Sequence, residues 1–211
     1  VVRGKQVVVL TGSALRAAAA RAEHVVLDLG AGDGRWIYRL ARRQPGWVCV
    51  AVDANPSGMR EASFRAGRKP NRGGAANAWF VRAVVETPPP PLWGLADEIH
   101  IHLPWGSLLS GVLAPHPEVL AGIARLGKAG AALAIRVNGS ALDDPTMMAR
   151  LGPRRRGHEM VEESLAGPYA AAGITLDHVG LDRQDPVTTW GRRLGGRHPA
   201  RVLALDGTVT K

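Results

Sequence analysis

From Val25 onward the chain alternates short apolar runs with longer amphipathic ones. "VVLDLG", "WVCVAVD", "NAWFVRAV", "DEIHIHLP" and "AALAIRVN" are too short for helices and rich in β-branched or aliphatic residues, so each reads as a buried strand. The segments between them change period. "DGRWIYRLARRQ" sets Trp36, Ile37, Leu40 and Ala41 along one helical face, and "PSGMREASFRAGRK" and "HPEVLAGIARLGK" also read as helices. Strands alternating with helices imply parallel βαβ units, hence an α/β fold with a doubly wound open sheet. "VEESLAGPYAAAG" adds one more helix. "ITLDHVGLD" and "ARVLALDGTV" then follow as two strands with no helix between them, an antiparallel pair at the sheet edge. The expected sheet is therefore mostly parallel and seven-stranded.

Upstream, "VVRGKQVVVL" alternates weakly around Gly4 and Lys5 as a short hairpin, and "TGSALRAAAARAE" reads as a helix with Thr11 or Ser13 as its N-cap. Residues 1–23 are thus an N-terminal extension of one domain spanning 1–211. Residues 138–157 and 183–199 are polar and rich in Gly and Pro, and read as long surface loops of the kind that carry function.

The junction "DLGAGDG" holds Gly30, Gly32 and Gly34 where the first buried strand meets the first helix of the repeating pattern. There the backbone must turn tightly and let a ligand approach a helix N-terminus. A dinucleotide fingerprint would need G-x-G-x-x-G, and Arg35 stands where its last glycine belongs. Asp28 and Asp33 flank the turn instead, which would repel a pyrophosphate and suit a cation. The pattern D-x-G-x-G-D-G resembles the first motif of class I (Rossmann-like) methyltransferases that use S-adenosylmethionine (SAM), a ligand carrying an ammonium and a sulfonium. Asp53 ends the second strand, where a carboxylate can accept from both ribose hydroxyls of such a cofactor. An N-cap role for the next helix competes for it. Glu86 follows the third strand, where these enzymes often hold the adenine of SAM.

Composition adds a second theme. The 211 residues carry a net charge of +9, but only four of the 27 basic residues are lysine, and the Ala, Gly, Pro and Arg content also fits a GC-rich genome. The clustering says more: Arg65, Arg68, Lys69 and Arg72; Arg154, Arg155 and Arg156; Arg192, Arg193, Arg197 and Arg201. All lie in Gly- and Pro-rich settings suited to contacting phosphates of a folded RNA. Trp105 follows the fourth strand and Trp190 lies in the polar loop "TTWGRRL", with no hydrophobic period around it. Two tryptophans at one mouth could clamp a flat base, or else Trp105 packs in the core and Trp190 anchors its loop. No apolar run reaches membrane-spanning length, the N-terminus lacks the apolar block of a secretory signal, and a lone Cys49 cannot form an intramolecular disulfide. A cytoplasmic monomer is expected, without membrane or DNA partner, and the seven histidines lack metal-ligand spacing, so no metal is assigned.

"DLGAGDG", "VDA", "LPWGSLL", "GVL", "TTWGRRL" and "VLALDGT", in this order, closely resemble the Kam-type aminoglycoside-resistance 16S rRNA methyltransferases, over almost the whole chain. The resemblance implies methylation of N1 of the decoding-site adenine (adenine 1408) in the assembled 30S subunit, with SAM as methyl donor. It implies that Trp105 and Trp190 hold the flipped base and that Thr188 lies near cofactor and target. Asp28, Gly30, Gly32, Asp53, Ala54, Ala83, Val84, Glu86, Leu103, Ser107 and Thr188 would hold SAM. Arg193, Arg197 and Arg201 would contact RNA near the target, with Arg65, Arg68, Lys69 and Arg72 on the docking surface. Two other readings stay open on the residues alone: a methyltransferase of tRNA or a small metabolite, and a non-catalytic ribosome-binding protein. The paired tryptophans argue against a metabolite, and the intact Gly30, Gly32, Asp33 and Asp53 against the loss of catalysis.

Overall fold

The computed structural model describes residues 1–8, 12–139, 158–184 and 200–210. Its strands are β1 (Val2–Arg3), β2 (Gln6–Val7), β3 (His24–Leu29), β4 (Trp47–Asp53), β5 (Ala78–Arg82), β6 (Ala96–His102), β7 (Gly127–Asn138), β8 (Ile174–Gln184) and β9 (Ala200–Val209). The helices are α1 (Gly12–Ala19), α2 (Arg35–Arg43), α3 (Pro56–Ala66), α4 (Gly106–Leu113), α5 (Pro117–Leu126) and α6 (His158–Ala171).

β3 and β4 are near-continuous apolar runs because helices cover both faces of the sheet. On one face Val26, Cys49, Ala51 and Phe80 pack with Ile37 of α2 and Met59 of α3. On the other, Leu27, Val50, Ile99 and Ile101 pack with Leu15, Leu109, Leu120 and Tyr169. Adjacent residues of one strand thus serve opposite cores, as a period of two requires. Cys49 is fully buried, and desolvation pushes its thiol up to about 12, which keeps it an inert packing group.

The sheet order is β5-β4-β3-β6-β7-β9-β8. β3, β4, β5, β6 and β7 are mutually parallel, and β9 runs antiparallel to both β7 and β8. The expected doubly wound, mostly parallel sheet with an antiparallel edge pair is therefore present. The later strand, β9, inserts between β7 and β8, with Ile135 opposite Leu205 and Leu205 opposite Val179. The chain order reverses between β3 and β6, so a crevice opens above the carboxyl ends of those strands.

β1 and β2 form the expected hairpin as a separate two-stranded sheet. Val2 joins the α2–α3 core, and the Gly4 N–H donates to Ser63 Oγ at 2.9 Å, fastening the hairpin to α3. Helix α4 departs from the sequence reading, which placed no helix between Leu103 and Ala114. It starts at Gly106 behind a tryptophan with no capping side chain, so no local start signal marks it. Its stability is tertiary: Leu109, Val112 and Leu113 are buried, and the Tyr169 hydroxyl donates to the Val112 carbonyl at 3.0 Å. β7 also begins earlier than its apolar core, directly at Gly127 after α5.

Helix α5 packs so closely on the loop after β5 that a Cβ on Gly122 would overlap the Val85 carbonyl oxygen. Gly122→Ala is therefore expected to lower the melting temperature, at an overpacking cost of about 1–3 kcal/mol. Calorimetry showing an unchanged or raised transition would contradict this contact.

Candidate functional site

The glycine-rich turn between β3 and α2 is built by three residues in the left-handed region, Gly30 (φ 73°), Gly32 (φ 57°) and Gly34 (φ 63°). Side chains at Gly30 and Gly34 would also collide, with Leu108 and Phe80 respectively. The turn is tied to β4. The Gly30 and Ala31 N–H groups donate to the Val52 carbonyl at 2.9 and 3.1 Å, and the Gly32 N–H donates to Asp53 Oδ2 at 2.8 Å. Asp53 Oδ1 accepts from the Asn55 N–H at 2.7 Å. The N-cap of α3 is Asn55, whose side chain accepts from the Ser57 N–H. Asp53 thus braces the turn and leaves the cap to its neighbour.

Above this turn lies a cavity of about 500 Å³ at the switch point, lined by residues from the ends of β3, β4, β5 and β6. Four carboxylates face it: Asp28, Asp33, Asp53 and Glu86. Asp28 is 2% exposed, and its Oδ1 has no hydrogen-bond partner among the described residues. Burial, then the charges of Asp53 and Asp33, raise its carboxyl well above the ordinary aspartate range. A cation in the cavity would offset the like charge and stabilise the ionised carboxylate, so the site suits a positively charged ligand. The ammonium and sulfonium of SAM match that requirement.

The second wall comes from Ala83, Val84, Val85 and Glu86 after β5, with the Ala83 N–H donating to the Asp53 carbonyl at 3.1 Å. The third comes from His102 to Leu108. Leu103 is in the left-handed region (φ 51°), and its N–H donates to the Arg136 carbonyl at 2.7 Å. Trp105 follows at the mouth, 61% exposed, which excludes the core-packing alternative for it. Asp28, Gly30, Gly32, Asp53, Ala54, Ala83, Val84, Glu86, Leu103 and Ser107 all line this one cavity together with Trp105.

His102 and Leu108 line the cavity too and were missed by the sequence reading. The signal for His102 was present: in "IHIH" the isoleucines face one core, so both histidines face the other side. His102 packs edge-on against Trp36 (4.6 Å between centroids) and stacks on His100 (5.2 Å). Desolvation, then His100 and Arg136, push it down to about 3, so it adds no positive charge to the cavity at neutral pH. His100 in turn sits 2.7 Å from Glu98, which also meets His24 at 3.3 Å.

Thr188, Trp190, Arg192, Arg193, Arg197 and Arg154 to Arg156 lie outside the described residues. Arg201 is exposed at the start of β9, beside Gly139. Arg65 pairs with Glu61 at 2.6 Å, and Glu61 also takes Arg35 at 2.5 Å. Arg68, Lys69 and Arg72 are exposed in and around the tight turn after α3 and make no ion pair among the described residues. No helix among those residues is long and apolar enough to cross a membrane.

The profile described as NpmA, 16S rRNA (adenine(1408)-N(1))-methyltransferase, matches residues 1–208. The chain is 38% identical over 192 residues to the 16S rRNA (adenine(1408)-N(1))-methyltransferase of Streptoalloteichus hindustanus, covering 89% of this chain and 88% of that one. Its structure is similar to that of a variant 16S rRNA (adenine(1408)-N(1))-methyltransferase with cosubstrate SAM from Catenulisporales acidiphilia. The TM-score is 0.89 at 34% identity, over 100% of this chain and 96% of the other. It is also similar to the 16S rRNA methyltransferase KamB, with a TM-score of 0.87 at 36% identity over 100% and 99% of the two chains.

The raised carboxyl of Asp28 has a consequence for stability. In the unfolded chain it titrates in the ordinary aspartate range, and in the folded chain well above it. Its contribution is fully present below the unfolded value and is lost as pH rises through the folded one. Asp28→Asn is therefore expected to raise the melting temperature of the ligand-free protein at neutral pH. The gain should shrink toward zero as pH falls below the ordinary aspartate range. Thermal melts of both proteins across pH check it, and a variant less stable at neutral pH would refute the assignment.

Proposed function

The chain belongs to the NpmA family of 16S rRNA (adenine(1408)-N(1))-methyltransferases, SAM-dependent enzymes, and on that premise we propose that it methylates N1 of adenine 1408 in the assembled 30S subunit and confers aminoglycoside resistance. The observation that carries this reading is the juxtaposition of a cation-seeking cavity and an exposed indole. Asp28 sits buried beneath it with Oδ1 unpartnered among the described residues, and Trp105 stands at its mouth.

SAM, when bound, supplies an electrophilic methyl group on its sulfonium. The Gly30–Gly32 turn admits the ligand against backbone, Asp28 answers its positive charge, and Asp53 offers lone pairs to ribose hydroxyls while bracing the turn. Ala54, Ala83, Val84 and Glu86 border the adenine side, and Leu103, Ser107 and Thr188 the side toward the target. Trp105 and Trp190 clamp the flipped base between their faces. Base–aromatic stacking of roughly 1–3 kcal/mol per contact offsets the few kcal/mol of unstacking. Adenine N1 is neutral and carries a free lone pair, so no residue need remove a proton before attack. The chain's task is in-line placement. That fits a cavity in which the one histidine among the described residues, His102, stays neutral, while Cys49 lies buried elsewhere in the fold. Arg193, Arg197 and Arg201 hold the RNA near the flipped base. Arg65, Arg68, Lys69 and Arg72 engage phosphates further out, and the protein acts as a cytoplasmic monomer.

Reverse-transcriptase extension on 16S rRNA from treated 30S subunits tests the central step. N1 methylation blocks the Watson–Crick edge, so a single new stop at adenine 1408 is expected. A stop at another base, or none despite methyl incorporation, would sink the proposal. Trp105→Ala and Trp190→Ala should keep SAM affinity while cutting methyl transfer by roughly 5-fold to 100-fold. Full activity in either variant would exclude the clamp. Asp28→Asn should do the reverse of its stability effect and weaken SAM binding, as read by calorimetric titration.

A further inference from the structure

Phe64 stands out among the aromatic side chains of the described residues. It lies on α3 away from the catalytic cavity and is 59% exposed. The buried face of α3 is made by Met59, Ala62, Ser63 and Ala66, so Phe64 contributes little to the core. Its ring has two neighbours of interest. Arg68, one turn further along, places its guanidinium carbon 5.1 Å from the ring centroid. Gly4, at the turn of the β1–β2 hairpin, lies close enough that a Cβ there would meet Phe64 Cδ2 at 3.5 Å. The hairpin is pinned in that place by the Gly4 N–H bond to Ser63 Oγ.

The surroundings are positively charged. Arg3, Lys5, Arg68, Lys69 and Arg72 are exposed, and the acidic side chain of α3, Glu61, is taken up by Arg35 and Arg65. A bare cluster of arginines would chiefly serve phosphates. An aromatic face with a guanidinium laid over it is a different device, because both planes accept an unpaired nucleobase. Solvent exposure of such a ring costs the free protein hydrophobic stability, which a polyanion with unstacked bases can return on docking.

We propose that Phe64 and Arg68 form a stacking platform for an unpaired base of the 16S rRNA, distinct from the Trp105 and Trp190 clamp. The partner follows from charge complementarity, and the proposal rests on the rRNA reading above. The platform adds affinity and register at the docking surface and takes no part in methyl transfer.

The test is affinity for 30S subunits, measured directly by binding and in parallel as KM and kcat. Phe64→Ala should weaken 30S binding and raise KM by roughly five-fold or more, with kcat and SAM affinity unchanged. Phe64→Trp should restore binding. Phe64→Leu keeps apolar contact with the hairpin but lacks a π face, and should stay impaired. The salt dependence of binding should keep its slope in Phe64→Ala and become shallower in Arg72→Gln. Wild-type binding by Phe64→Ala, or full rescue by Phe64→Leu, would overturn the platform. Normal 30S binding by the wild-type protein with no methylation at adenine 1408 would strike the rRNA-methylation reading alone.

Discussion

The architecture of the site depends on one electrostatic constraint: carboxylates gathered in one cavity of a protein whose net charge is +9. Asp28 bears most of it, buried with one oxygen unpartnered among the described residues and with Asp53 and Asp33 adding like charge. A group in that state destabilises the free fold, and it persists because the surrounding sheet over-determines its position. Asp28 pairs in register with Ala51 on one side and His100 on the other, so β4 and β6 both hold it in place. A local negative cavity inside a positive exterior also sorts ligands. The carboxylates that line it oppose a phosphate and complement a cation.

Topology explains why these groups meet. β3, β4, β5 and β6 are parallel, so their carboxyl ends rise at one edge, and the reversal of order beside β3 leaves that edge uncovered. Each strand then contributes its last residues and the loop that follows. Asp53 couples two of those contributions, since it terminates β4 and accepts from the glycine turn after β3. Gly122 couples a third from beneath, by letting α5 press against the loop that carries Glu86. The cavity is a consequence of close packing on three sides, with no dedicated lid among the described residues.

This also accounts for what the sequence made legible. Strands buried on both faces are continuous apolar runs, and a turn needing three left-handed residues shows itself as three glycines, so β3 to β7 and the site floor were readable from local pattern. The placement of β9 between β7 and β8 was not, because strand order is set by non-local pairing that no window of sequence contains. Helix α4 was hidden for a related reason. Its start lacks a cap, and its burial against Tyr169 comes from a residue 57 positions away. His102 was available from the alternation of "IHIH", but its neutrality depends on Trp36, His100 and Arg136, which belong to three elements. For Asp53 the N-cap use was removed only by the hydrogen bonds, which give the cap to Asn55.

Trp105 shows how local strain serves the site. Had β6 simply continued, its period of two would have placed Trp105 on the same side as Ile101, inside the larger core. Leu103 interrupts that course with a left-handed conformation that costs a branched side chain on the order of 1–2 kcal/mol. The Arg136 carbonyl holds it there, and Pro104 restricts the next step. Gly106, again left-handed, turns the chain into α4. Within four residues the backbone is thus redirected at Leu103 and again at Gly106, leaving the indole of Trp105 at the cavity mouth. The sheet and α4 sustain this bend in the ligand-free protein, so no binding energy need be used to create it. An aromatic face fixed in advance loses little entropy on meeting a flat partner, so on the proposed reading even a small contact area at Trp105 would count toward binding.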